Sequence, residues 1–148
     1  MKTVFRFKLS ILLFFIITTL SVSAQSKNND LIEVKSDSAD KIFVLKSSVK
    51  LLGKDEIHAW TLQLHNIPLT IESVDEKIYK TKTNYLLNKD IKKYGLLEVI
   101  YYDEDDNVLK SFTYKKISEI TNYKYNFPII PGSDMQAVLD TCLNLLEN

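Results

Sequence analysis

The chain has 148 residues, 19 basic against 19 acidic side chains, 45% hydrophobic residues and one cysteine. Balanced charge weighs against a partner held by strong electrostatics, such as nucleic acid. A lone thiol, Cys142, excludes an internal disulfide framework and leaves either a buried apolar role or a bond between chains.

The first zone, Met1 to Ser10, carries Lys2, Arg6 and Lys8 and no acid, and an apolar run follows from Ile11 to Leu20. That run is shorter than the ~20 apolar residues that span a bilayer. With Val22 and Ala24 supplying the small side chains of a peptidase site, residues 1–24 are expected to be a cleavable signal peptide, cut between Ala24 and Gln25. No cysteine lies near residue 25, so a lipid anchor is not expected, and the mature protein should be periplasmic or secreted with no membrane span. Cleavage leaves 16 basic against 19 acidic residues. Residues 25–30 form a polar leader without periodicity, and residues 31–148 are expected to make a single domain.

Leu31 to Val34 is a short apolar patch, and Lys41 to Leu45 is β-branched and aromatic enough for a strand. Val49 to Leu52 is a short strand running into a turn at Gly53 to Asp55. In the strand from Ile57 to Leu64, the two-residue period puts His58, Trp60, Leu62 and Leu64 on one face. Pro68 is expected to lie in a connection. Lys77 to Leu87 alternates, with Tyr79, Thr81, Thr83, Tyr85 and Leu87 on one side and Lys80, Lys82 and Asn84 on the other. Leu96 to Tyr102 and Val108 to Tyr114 flank the polar stretch Asp103 to Asn107 and should form a hairpin. Beyond Pro131-Gly132, Ser133 and Gln136 have the spacing of a capping box. Met135, Val138, Leu139, Cys142, Leu145 and Leu146 then recur at helical spacing, which turns Cys142 toward the core. Strands followed by one helix give an α+β fold, a single antiparallel sheet of about five to six strands packed against a C-terminal helix.

Trp60 in its strand, the Tyr-bearing strand ending at Asp90, Tyr101-Tyr102-Asp103 at the hairpin, and Pro131-Gly132-Ser133 before a helix holding Cys142 together resemble the bacterial surface-adhesin protein E family. The resemblance runs from about Ile42 to Cys142 and rests on order and spacing. It implies an exported antiparallel sheet with a C-terminal helix and, in adhesin members, binding of host matrix or serum proteins. Two departures stand out. The family pairs a cysteine after the strand-ending Asp with one in the final helix, whereas Asp90 is followed here by Ile91; such a bridge contributes roughly 4 kcal/mol. Packing of Ile91 against Cys142 is expected to take its place. The lipid-anchor cysteine of the adhesin type is also missing.

A search for chemistry gives no catalytic, cofactor or metal residue. His58 and His65 have opposite strand parity and form no metal pair within one strand. Asp103, Asp105 and Asn107 imitate the opening of a calcium loop, but Val108 and Tyr114 stand where that loop needs Gly and Glu. Ser133 lacks the second Gly of a hydrolase elbow and already has a capping role. Gly53, Gly95 and Gly132 are the only glycines, too few for a phosphate loop. The chain is therefore not expected to be an enzyme.

One surface feature remains. Lys77, Lys80, Lys82, Lys89, Lys92 and Lys93 are interleaved with Tyr79, Tyr85 and Tyr94, with Asp90 the only acid between Lys77 and Lys93. Such lysines commonly just solvate a face and discourage edge pairing. As a binding patch, Lys80, Lys82, Lys92, Lys93 and Tyr94 suit an extracellular or envelope protein or an acidic polysaccharide. The expected function is an exported, non-catalytic binding module using its sheet face; the alternative is a periplasmic structural or envelope-maintenance protein with no host ligand.

Overall fold

The structure, a computed structural model, describes residues 30–114 and 124–147. The expected signal peptide lies outside the described residues, as does the polar leader apart from Asp30. Eight strands, β1 (Leu31–Glu33), β2 (Lys41–Leu45), β3 (Lys50–Leu52), β4 (Glu56–Ile71), β5 (Val74–Asn88), β6 (Lys93–Tyr102), β7 (Val108–Thr113) and β8 (Phe127–Pro128), precede the helix α1 (Asp134–Glu147). All belong to one sheet in the order β1-β2-β4-β5-β6-β7, with β3 pairing β4 and β8 pairing β6. Every pairing is antiparallel. The fold is α+β as expected, with more strands than expected. The surplus comes from β1 and β8, which are too short to show periodicity and exist because longer neighbours offer them an edge, whereas β3 falls within the strand expected at Val49 to Leu52.

The alternation within β5 is the strongest cause of the architecture. Leu87 and Tyr85 pair with Ile57 and Ala59 of β4, and Val44 of β2 pairs with Thr61, so one face gathers the apolar set. Against it α1 lays Val138, Leu139 and Cys142, all essentially closed to water, together with Val34, Ile42 and Ile129. Full burial of a side chain such as Leu139 contributes roughly 1.5–3 kcal/mol. Removal from water also pushes the Cys142 thiol up to about 12. Ile91 does not join this core: it is 51% exposed in the β5–β6 turn, so the expected packing of Ile91 on Cys142 is corrected. A turn residue flanked by polar neighbours is lifted off the sheet by the reversal of the chain, whatever its hydrophobicity.

Two further expectations change. Pro68 sits inside β4 and not in a connection, because the β4–β5 register slips between Leu64 and Leu69. At such an irregularity the missing N–H of proline costs no ladder bond. The capping box forms by half: Ser133 Oγ accepts from Gln136 N at 3.3 Å, but the Gln136 side chain donates forward to Asp140 Oδ1 at 2.7 Å.

The chain reaches α1 by crossing the face that the helix leaves open. Lys124 and Tyr125 both bond Glu56 Oε1 from that side, β8 pairs with Lys93 and Tyr94 at the edge, and Ile129 then enters the helix-side core. This strap therefore passes from the open face of the sheet, past the start of β6, to the helix side.

Candidate binding face

The sheet face turned away from α1 is ordered by strand register into rows. Lys41, Leu64, Lys80 and Tyr102 form one row, Phe43, Leu62, Lys82 and Ile100 the next, and Trp60, Asn84 and Glu98 a third. Apart from exposed Lys41 and buried Asn84, these side chains are half-buried. A platform of apolar and aromatic groups thus carries a central column of polar residues contributed by β5.

Within that column Lys82 Nζ stands 4.9 Å from the centre of the Trp60 ring. The negative face of the indole holds the ammonium there, an attraction of roughly 0.5–1 kcal/mol near a surface. Its stem covers apolar area while the charge reaches water. Beside it Asn84 is 3% exposed, and its buried Oδ1 has no hydrogen-bond partner among the described residues, an arrangement that costs roughly 1–3 kcal/mol.

The five residues singled out in the sequence do not share one surface. Lys80 and Lys82 project together from β5, but Lys80 Nζ is engaged by Asp106 Oδ1 at 2.6 Å and the Glu104 carbonyl at 3.3 Å. Lys92 and Lys93 lie exposed at the opposite end of β6, roughly 20 Å along the strand from the Lys82 row. Tyr94 belongs to the helix side, edge-on to Tyr85 at 5.6 Å and stacked on Phe127 at 5.3 Å. Closeness in sequence joined these residues; the reversal between β5 and β6 separates them.

A second polar constellation was not legible in the sequence. His65, its side chain 3% exposed, places Nδ1 2.8 Å from Asp40 Oδ2 and Nε2 2.7 Å from Thr81 Oγ1. Gln63 Nε2 donates to Asp40 Oδ2 at 2.8 Å and the Asn66 backbone N–H to Oδ1 at 2.9 Å. Burial alone would raise the Asp40 carboxyl, but the bonds from Asn66, His65 and Gln63 outweigh it and hold it below the ordinary value. Carboxylate, imidazole and hydroxyl stand in series, as in a hydrolytic relay. Thr81 is only 9% exposed, however, and Asp40, His65 and Thr81 line none of the four clefts formed by the described residues around β1, α1 and the β4–β5 turn. The array clamps the irregular part of β4. Only the 25-residue separation of Asp40 from His65 hides it from a sequence reader.

The other candidates have local roles. The Asp103 carboxylate accepts from Asp105 N at 2.9 Å, Asn107 N at 2.8 Å and Asn107 Nδ2 at 2.7 Å, which makes it the organiser of the β6–β7 turn. Among the described residues no group of three or more His, Cys, Asp or Glu side chains is placed to hold a metal ion. No helix among them is long and apolar enough to cross a membrane. Comparison with protein-family models, with curated proteins and with solved structures finds no match for the chain.

Proposed function

We propose that this chain is an exported, non-catalytic binding module of the surface-adhesin protein E type, which holds a polyanionic extracellular ligand on the sheet face turned away from the helix. The observation that carries the reading is Lys82 poised over Trp60. A cation and a flat aromatic surface, set in a half-buried apolar platform, suit a ligand that presents anionic groups. Lys82 is the first-choice anion contact, because the Lys80 charge is already shared with Asp106. Lys92 and Lys93 form a separate basic spot with a lesser role.

Heparin is the probe for this face. Lys82→Glu and Trp60→Ala should each elute from a heparin column at clearly lower salt than the parent, while Lys92→Glu should shift less. Retention unchanged in both face variants removes the assignment. Digestion of intact cells with protease tests display: cleavage is expected for a surface module, and full protection together with unchanged heparin retention points instead to an envelope-maintenance role.

A further inference from the structure

On the other layer of the molecule, β1 is the last strand of the sheet, and its backbone is half used. The Asp30 carbonyl accepts from Lys46 N at 2.7 Å and Val34 N donates to the Ile42 carbonyl at 2.8 Å. Antiparallel ladders alternate, so even-numbered residues of β1 spend their groups on β2, and the N–H and C=O groups of Leu31 and Glu33 point outward. Among the described residues no strand pairs with that edge.

The helix lies beside this edge. Between them runs a cleft of about 370 Å³, with Ile32 and Glu33 on the strand side and Ala137, Asp140, Thr141 and Leu145 on the helix side. A volume of that size falls in the range of ligand clefts, roughly 300–1,000 Å³. Ile32 pairs with Val44, so its side chain faces α1 and floors the cleft. A strand added to β1 would lie about 4.8 Å further out and turn alternate side chains toward the cleft lined by Ile32 and Leu145. The hollow continues past Lys35 toward Gly132 and Ser133 along the same side of α1.

The charges around the cleft select the occupant. Asp140 is exposed on the helix wall and Asp37 follows on the strand side, with Lys35 the cation among them; Glu33 contributes backbone to the cleft while its side chain, paired with Phe43, turns to the opposite face. The last turn of α1 has no basic residue, so the negative end of the helix dipole adds to the same sign.

We propose that the edge of β1 and the adjoining flank of α1 form a peptide-binding groove, in which an extended, lysine- or arginine-bearing segment of a partner protein adds as a further strand and fills the cleft with alternate apolar side chains. Recognition is by backbone pairing to Leu31 and Glu33, by apolar insertion beside Ile32 and Leu145, and by the acids at the rim. The groove is on the helix side of the sheet and stands or falls independently of the Trp60 face.

The test titrates the isotope-labelled exported chain with a blocked hexapeptide of alternating lysine and valine. Controls are its glutamate counterpart and a version with alternate backbone nitrogens methylated. Amide signals of Leu31, Glu33 and Thr141 should shift, and both controls should bind about tenfold more weakly or worse. Asp140→Lys, at an exposed position that leaves folding intact, should lose a similar factor for the lysine peptide and gain for the glutamate one; Ala137→Leu should block the cleft. Equal affinity for the methylated peptide, shifts confined to the Trp60 face, or no binding at millimolar peptide overturns the proposal. So does a concentration-dependent dimer that perturbs Leu31 and Glu33, since the edge would then belong to a second copy.

Discussion

The backbone carbonyl of Lys124 rests against Gly95 so closely that a Cβ at position 95 would overlap its oxygen. This contact lets the strap lie flat on the open face, where Lys124 Nζ and the Tyr125 hydroxyl both donate to Glu56 Oε1. Those two bonds, Lys124 first and Tyr125 second, hold the Glu56 carboxyl below its ordinary value, against the opposing effect of burial.

Gly95→Ala should therefore lift the strap. Overpacking of this kind costs about 1–3 kcal/mol, to be read as a lower midpoint in chemical denaturation. The same variant should move the Glu56 carboxyl back up in a carboxyl-resolved NMR titration. A variant as stable as the parent, with Glu56 unmoved, refutes the contact.

Asp40→Asn probes the clamp on β4. The folded Asp40 carboxyl is held below its ordinary 3.8, so its contribution to stability is complete above that pH and disappears as pH falls through the lower folded value. The substitution should cost about 1–3 kcal/mol at neutral pH by weakening hydrogen bonds to a charged group. In strong acid the gap between variant and parent should close. A gap that is constant from neutral to acid pH contradicts the charged clamp.

Cys142 governs the alkaline side. Burial raises its thiol from 9.0 to about 12, so the stabilisation is present below 9.0 and is lost as pH rises toward the folded value. Parent protein should weaken over this window, and Cys142→Ala should weaken less, leaving the half-buried Tyr85, raised to about 12 by loss of water around its hydroxyl, to act later. In the native state near neutral pH the thiol should resist alkylation and react fully once denatured. Rapid native labelling would place it outside the core.

The amphipathic helix is tested by a contrast. Leu139 is 0% exposed and Leu146 is 38% exposed, although both continue the same apolar spacing. Leu139→Ala should cost about 2–5 kcal/mol, whereas Leu146→Ala should stay within about 0.5 kcal/mol, as for surface sites. Comparable losses from both would mean that the helix buries a different stripe.

Local periodicity made much of this legible. Thr81, Thr83, Tyr85 and Leu87 alternate so regularly that β5 and its two faces follow from the chain alone, and Val138, Leu139 and Cys142 announce which side of the helix is buried. What escaped was long-range. The partners of β1, β3 and β8 are supplied by distant residues, the slip that admits Pro68 depends on how β4 and β5 pair, and the lysine cluster splits because Lys82 and Lys93 flank a reversal of the chain.

The amino-acid order by itself determined the α+β class, the principal strands, the helix and the interior position of Cys142, since each depends on the pattern of neighbours within a few residues. Only the tertiary structure decided which face α1 covers, that Lys82 meets Trp60 while Lys80 meets Asp106, and that the edge of β1, which no strand among the described residues pairs, shares a cleft with the helix. Those relations arise from register and from the packing of elements far apart along the chain, and no local pattern encodes them.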